Sequence, residues 1–215
     1  MAEPTELLAA RHGEAWCNRE QTIGGMRTCR GLTPEGRQQA ERLAARLANA
    51  ARPVDVIYTT PLRRASETAG LLGDVLGVEP IVEPGLREPD YGAAEGLPWD
   101  KAVADFGDAP SLYPDRPIAA GAESWLAFLA RARAAIAAIL DRHGGEKILI
   151  VAHGETIAAA HHHFAGVPSG EVLPVSFACH PTAVTTWQQQ PLSWTMPGLG
   201  WRWALAGHND VRHLG

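Results

Sequence analysis

The residues best able to do chemistry in this 215-residue chain stand where apolar runs end abruptly. Near the N-terminus, Leu7-Leu8-Ala9-Ala10 gives way to Arg11-His12-Gly13-Glu14. Much later, Ile148-Leu149-Ile150-Val151-Ala152 gives way to His153-Gly154-Glu155. Short apolar runs read as buried strands, and strand ends of an open α/β sheet deliver side chains into the crevice where ligands bind. If the two strands are parallel neighbours, both imidazoles face one crevice. A lone histidine there more often caps a helix; the repetition weakens that reading. A third junction, Thr59-Thr60-Pro61-Leu62-Arg63-Arg64-Ala65, puts Arg64 in the first turn of a helix, beside its apolar face. Helix N-termini favour anions, and a guanidinium adds bidentate recognition of phosphate. Arg63 reads as a solvated cation, whereas an unpaired cation at Arg64 would be costly. The grouping points to phosphoryl transfer, with His12 as nucleophile.

The elements that must position these residues follow from periodicity and end signals. Thr33-Pro34-Glu35 opens a helix carrying Ala40, Leu43, Ala44 and Leu47 at helical spacing, with Thr33 as N-cap. Val54–Tyr58 reads as a second strand and Thr60-Pro61 as the start of a second helix, buried through Leu62, Ala65, Ala69, Leu72 and Leu76. Ile81-Val82 is a short strand ahead of Leu86-Arg87-Glu88. From Pro89 to Ala120 the chain becomes proline-rich, with one short helix around Trp99–Phe106; this insertion is either a lid or a plain crossover. Ala122–Arg142 is a helix ended by His143-Gly144-Gly145. Lys147–Ala152, apolar almost throughout, predicts a central parallel strand. A helix to Phe164 follows, and Ala183–Trp187 with Trp201–Leu205 predicts an antiparallel hairpin at the sheet edge. The alternation implies an α/β fold: a single-domain three-layer α/β/α sandwich over 1–215, with a mostly parallel mixed sheet and a lid insertion at 89–120.

In order along the chain, Arg11-His12-Gly13-Glu14 with Asn18, Leu32-Thr33 with Gly36 and Gln39-Ala40, Pro61-Leu62 with Arg64-Ala65 and Thr68-Ala69, Leu86-Arg87-Glu88 with Gly92 and Glu95-Gly96, His153-Gly154, and Asn209-Asp210 with His213-Leu214 make a set. With that set the chain resembles the histidine phosphatase superfamily, the phosphoglycerate mutase-like group. The resemblance implies that His12 attacks phosphorus and forms a phosphohistidine that water then hydrolyses. It implies that Arg11, Arg64 and His153 hold the phosphoryl oxygens, that Asn18 adds a hydrogen bond, and that Glu88 gives and takes the proton. Gly154 and Glu155 would border the substrate. The scheme calls for no metal and no organic cofactor. Three departures stand out. Ala15 lies where members often carry Ser or Thr, and Cys17 where an aromatic often precedes the asparagine. Glu155 stands where small or amide residues are common; it would disfavour acidic substrates, attract a cationic one, or simply sit at a helix N-terminus stabilised by the dipole.

The expected activity is hydrolysis of a small phosphorylated metabolite. A cofactor-dependent phosphoglycerate mutase is the alternative, and an inactive phosphate-binding protein a third class. The mutases carry a longer, basic insertion after the Glu88 position; here it holds Glu95, Asp100, Asp105, Asp108 and Asp115 against Lys101 and Arg116. The run His161-His162-His163 tempts a metal reading, but helix neighbours do not face one another. His161 is expected in the core and His162 and His163 in solvent; Trp187, Trp201 and Trp203 are expected to pack on the sheet.

Composition bounds the rest. Hydrophobic residues make up 46% and charged residues 20%, enough for one sizeable core. The net charge of −5 gives no general attraction to nucleic acid or to an anionic membrane. Cys17, Cys29 and Cys179 are odd in number and show no CxxC pairing, which suits a reducing compartment. No signal peptide or membrane-length apolar run is present. A cytoplasmic protein is expected, without nucleic-acid or membrane partners, its edge hairpin offering a surface for homo-oligomers.

Overall fold

A computed structural model of the protein describes residues 3–107 and 113–215. Asp108 and Pro110 of the 89–120 insertion lie outside them. Strands β1 (Glu6–Arg11), β2 (Val56–Thr59), β3 (Pro80–Val82), β4 (Lys147–Ala152), β5 (Val184–Pro191) and β6 (Trp201–Asp210) form one sheet in the order β3-β2-β4-β1-β5-β6. β4 is central and parallel to both β1 and β2, with Arg11 opposite Ala152. The two histidine junctions therefore open side by side at the same sheet edge. β5 and β6 run antiparallel at the far side.

The inner strands β1, β2 and β4 are buried on both faces because helices cover both. Counting along β1 and β4, Leu7, Ala9, Ile148, Ile150 and Ala152 pack with Ile136, Ile139, Ile157 and Ala160 of α5 (Trp125–Arg142) and α6 (Gly154–Phe164). The alternate residues Leu8, Ala10, Leu149 and Val151 pack with Leu43, Leu47, Ala69 and Leu72 of α2 (Pro34–Ala48) and α3 (Arg63–Leu76). This period-two split defines a three-layer α/β sandwich. Each fully buried Leu or Ile adds about 1.5–3 kcal/mol.

Element ends moved where side chains had other partners. Thr33 caps α2 as expected, accepting from Gly36 N at 3.0 Å. α3 starts at Arg63 rather than at Thr60-Pro61, because Leu62 is still extended and the Thr60 hydroxyl is bonded elsewhere. α5 starts at Trp125, since Ser124 caps it and Ala122 bridges to Tyr91. Trp187 is buried and Trp203 packs against the core, but Trp201 is 38% exposed on the edge strand, so it is not the packing residue expected.

The insertion is a small lobe with its own core. A 3-10 turn (Gly92–Ala94) and α4 (Trp99–Phe106) gather Tyr91, Ala94, Ala102 and Ile118 around Ile23. Ile23 lies in the loop after α1 (Trp16–Arg19), and Glu95 ties the lobe to that loop by accepting from Arg27 N at 2.6 Å and Thr28 N at 2.8 Å. Among the described residues, no helix is long and apolar enough to cross a membrane.

Candidate active site

The site begins with the backbone that lets His12 leave β1. Gly13 and Gly36 are glycines because two chain segments meet there: a Cβ on Gly13 would lie 2.3 Å from Gly36 O, and one on Gly36 would lie 2.0 Å from Glu14 O. The Gly13 N–H donates to Thr68 Oγ1 of α3 at 3.1 Å. The turn is thus clamped, and the His12 ring stands buried at its mouth.

Hydrogen bonds fix the ring's tautomer. His12 Nδ1 lies 2.7 Å from Gly13 O, which can only accept, so Nδ1 carries the proton. Nε2 accepts from Arg64 Nε at 3.1 Å, so its lone pair is held by that guanidinium. Burial, followed by the Arg64 and Arg11 charges, holds His12 well below the ordinary imidazole value of 6.5. A neutral, oriented imidazole is the form a nucleophile requires.

His153 faces it, ring centroids 5.3 Å apart. Its Nε2 lies 2.9 Å from the Thr60 hydroxyl. If that hydroxyl donates, the proton of the neutral ring sits on Nδ1, 3.9 Å from Glu88 Oε1. Burial, then Arg64, His12 and Arg11, lower His153 as well. Arg64 is buried on α3 and pairs through Nη2 with Glu88. The turn bearing Glu88 is held by Arg131 of α5, whose guanidinium donates to Gly85 O, Arg87 O and Glu88 O and pairs with Glu123. Arg11 reaches the other way, with Nη1 donating to Cys179 O at 2.5 Å.

Among the described residues, three buried side-chain polar atoms have no hydrogen-bond partner: Arg11 Nε, Arg64 Nη1 and His153 Nδ1. All three belong to side chains grouped around His12. Buried polar atoms are normally satisfied within a protein, so these orphans, two of them on guanidiniums whose charges act on His12, suit an anion.

Asn18 and Glu155 border this centre. Asn18 Oδ1 accepts from Ala15 N at 3.0 Å, leaving the amide NH2 to donate into a cavity of about 690 Å³ shared with Arg11 and Cys17. Glu155 and Gly154 open α6 and line a second cavity of about 460 Å³ with Arg11, Tyr91, Trp99, Trp125 and Phe177. Burial, then the charge of Glu88 and a hydrogen bond with it, push Glu155 up to about 8. A carboxyl held near 8 keeps its proton at neutral pH, so Glu155 is protonated there. Among the described residues, no group of three or more His, Cys, Asp and Glu side chains is placed to hold a metal ion.

All eight residues singled out in the sequence, Arg11, His12, Asn18, Arg64, Glu88, His153, Gly154 and Glu155, fall on this centre or its two cavities. The histidine run is partly corrected. His161 is buried and stacks on Phe177, but His162 is buried too, not solvent-facing. Its Nδ1 bonds to Ala158 O at 2.8 Å and its Nε2 accepts from Leu173 N at 3.0 Å, because the segment after α6 folds back over it. The sequence gives no sign of that segment's place, nor of the partners of Thr60, Thr68 and Arg131. Thr60 beside Pro61 carried a signal as a turn residue; residues 172–179 carry no periodicity.

This geometry gathers two buried imidazoles, two guanidiniums and two carboxyls at one edge of a doubly covered sheet. A family model described as histidine phosphatase superfamily (branch 1) matches residues 7–201, and the chain belongs to that superfamily. It is 31% identical over 163 residues to a metal-independent phosphoserine phosphatase of Arabidopsis thaliana, covering 74% of this chain and 68% of the relative. It is 34% identical over 157 residues to a phosphoglycerate mutase-like protein of the same plant, covering 71% of this chain and 67% of the relative. Among solved structures, a mycobacterial glucosyl-3-phosphoglycerate phosphatase in complex with VO3 superposes with a TM-score of 0.77 at 26% identity, covering 95% of this chain and 99% of that one. The family and the names of these relatives support a phosphatase role for this chain.

Proposed function

We propose that the protein hydrolyses a small phosphorylated metabolite through a phosphohistidine on His12. The three orphaned donors around that imidazole carry the reading. A phosphoryl group held by the Arg11 and Arg64 guanidiniums and by His153 meets His12 Nε2. Entry of its oxygens draws Arg64 Nε off the nitrogen lone pair, which attacks phosphorus in line as the bond to the leaving oxygen breaks. The guanidiniums and His153 stabilise the charge on the equatorial oxygens.

The leaving oxygen needs a proton. Glu88 stands beside His153 and Arg64, and the proton held by neighbouring Glu155 reaches the leaving oxygen through it. In the second half, Glu88 takes a proton from water, which attacks the phosphohistidine and releases phosphate and free His12. Every proton and charge in this scheme is handled by side chains, so the reaction runs without a metal or organic cofactor.

The test is trapping of the intermediate. With a ³²P-labelled aryl phosphate and rapid quenching, an acid-labile, alkali-stable label is expected on the protein and absent from His12→Ala. Steady-state hydrolysis should fall at least about 10³-fold in that variant and persist in excess chelator. Turnover that survives the substitution or disappears with the chelator refutes the scheme. With 3-phosphoglycerate and 2,3-bisphosphoglycerate, phosphate release rather than isomer exchange is expected, which separates hydrolysis from mutase chemistry.

A further inference from the structure

We propose, resting on the phosphatase reading above, that the cavity beside the phosphoryl site selects a phosphomonoester whose alcohol is small, apolar and cationic: a substituted ammonium alcohol, with Glu155 as its charge partner. The cavity of about 460 Å³ holds a metabolite-sized group. Its aromatic wall is made by Tyr91, Trp99, Trp125 and Phe177, and Tyr91 and Trp99 form a corner, with ring centroids 5.4 Å apart and planes at 89°. Aromatic faces attract an alkylammonium through their quadrupoles.

The charges on this wall have one sign to offer a leaving group. Among the described residues that line it, the single Asp or Glu is Glu155 and the single Lys or Arg is Arg11, whose Nη1 is held by Cys179 O. A leaving group carrying a carboxylate or second phosphate would therefore meet a carboxyl and aromatic rings with no cation of its own. An ammonium meets the reverse.

The same partner links recognition to chemistry. Glu155 holds a proton close to Glu88, and hydrolysis needs a proton delivered there. A cation beside Glu155 favours its ionised form, so the substrate itself promotes release of that proton. The leaving group thereby helps to arm its own proton donor.

The experiment compares phosphocholine with its uncharged isostere 3,3-dimethylbutyl phosphate in the wild-type protein and in Glu155→Gln. The ratio of kcat/KM for the two substrates is taken in each protein. Dividing one ratio by the other cancels the intrinsic difference between the leaving groups. Loss of one desolvated charge partner should lower the preference for the cation about tenfold or more. Trp99→Leu, at a side chain already 40% exposed, tests the aromatic wall without removing a carboxyl and should lower it several-fold. 3-Phosphoglycerate should be the poorest of the three substrates in the wild type. A ratio unchanged in both variants, or 3-phosphoglycerate preferred by the wild type, overturns the inference while leaving the phosphatase reading intact. Failure of every phosphomonoester, an aryl phosphate included, overturns both.

Discussion

At the residue scale the proposed chemistry turns on the His12 Nε2 lone pair, capped by Arg64 Nε, and on the proton that Glu155 holds near Glu88. Both predict a pH profile. His12 is lowered by burial and two guanidiniums, so it stays neutral until well below 6.5, and the acid limb of kcat/KM should fall there. Arg64→Ala removes one of those cations and should move that limb upward, alongside a large loss of rate. The carboxyl pair loses its proton near 8 as Glu155 ionises, so the rate should decline above that value. A pH–rate curve with its acid midpoint at or above 6.5 would contradict the assignment of a neutral nucleophile. Thr60 gives a finer test. Thr60→Val keeps the shape but removes the hydroxyl from His153 Nε2, freeing the ring to change tautomer. A roughly tenfold fall in kcat with little change in KM is expected from steady-state kinetics.

At the scale of elements, the site depends on close joints between segments distant in sequence. The β1–α2 joint has no room for a side chain at Gly36, so Gly36→Ala should destabilise the fold by about 1–3 kcal/mol, measured by urea unfolding. Arg131 is the joint between α5 and the Glu88 turn, donating to three consecutive-turn carbonyls while paired with Glu123. Arg131→Met should cost about 1–3 kcal/mol of stability and lower kcat, because the turn that aims Glu88 loses its tether. A variant with wild-type kcat would show that the turn holds its position unaided. The insertion also reads differently at this scale. Its acidic residues suggested a lid that repels anions, yet Glu95 is held by Arg27 and Thr28 backbone N–H groups and Asp105 pairs with Lys101. The discrimination against anions proposed here comes from the wall's lack of a free cation.

For the whole molecule, buried histidines tie stability to pH. His12, His153 and His161 all have folded values below 6.5, His161 at about 4, with burial the largest cause in each. The unfolded chain therefore binds more protons than the folded one as pH falls below 6.5, and stability contributed by these neutral rings is lost there. Asp210, lowered mainly by its hydrogen bonds to Arg212 and also by Arg46, adds a loss of the same sign below its ordinary 3.8. Glu155 acts oppositely: its raised folded value gives a contribution present below about 4.5 and lost as pH climbs toward 8. Urea-unfolding free energies should rise from pH 4.5 to 6.5, with three histidines outweighing one carboxyl. A flat or falling profile over that interval would mean that the rings are protonated in the folded state.

The sequence by itself determined the β4 strand, the Thr33 cap of α2 and which residues gather at the candidate site. Those signals are local: an apolar run stopping at Arg11-His12-Gly13, a cap at Thr33-Pro34, an arginine one step from an apolar face. It could also predict that β4 is central, because a strand apolar at nearly every position must be covered on both faces. Only the tertiary structure decided that Thr60 orients His153, that Arg131 carries the Glu88 turn, that His162 is buried, and that residues 172–179 close the aromatic cavity. Each of these rests on contacts between positions far apart in the chain, such as Leu173 N with His162 Nε2, and such contacts leave no period or spacing to read. The leaving-group wall is of that kind, assembled from the insertion, α5, α6 and the segment before β5. The phosphoryl floor could be read from one residue type at each strand end, whereas the selective wall existed only once those segments met.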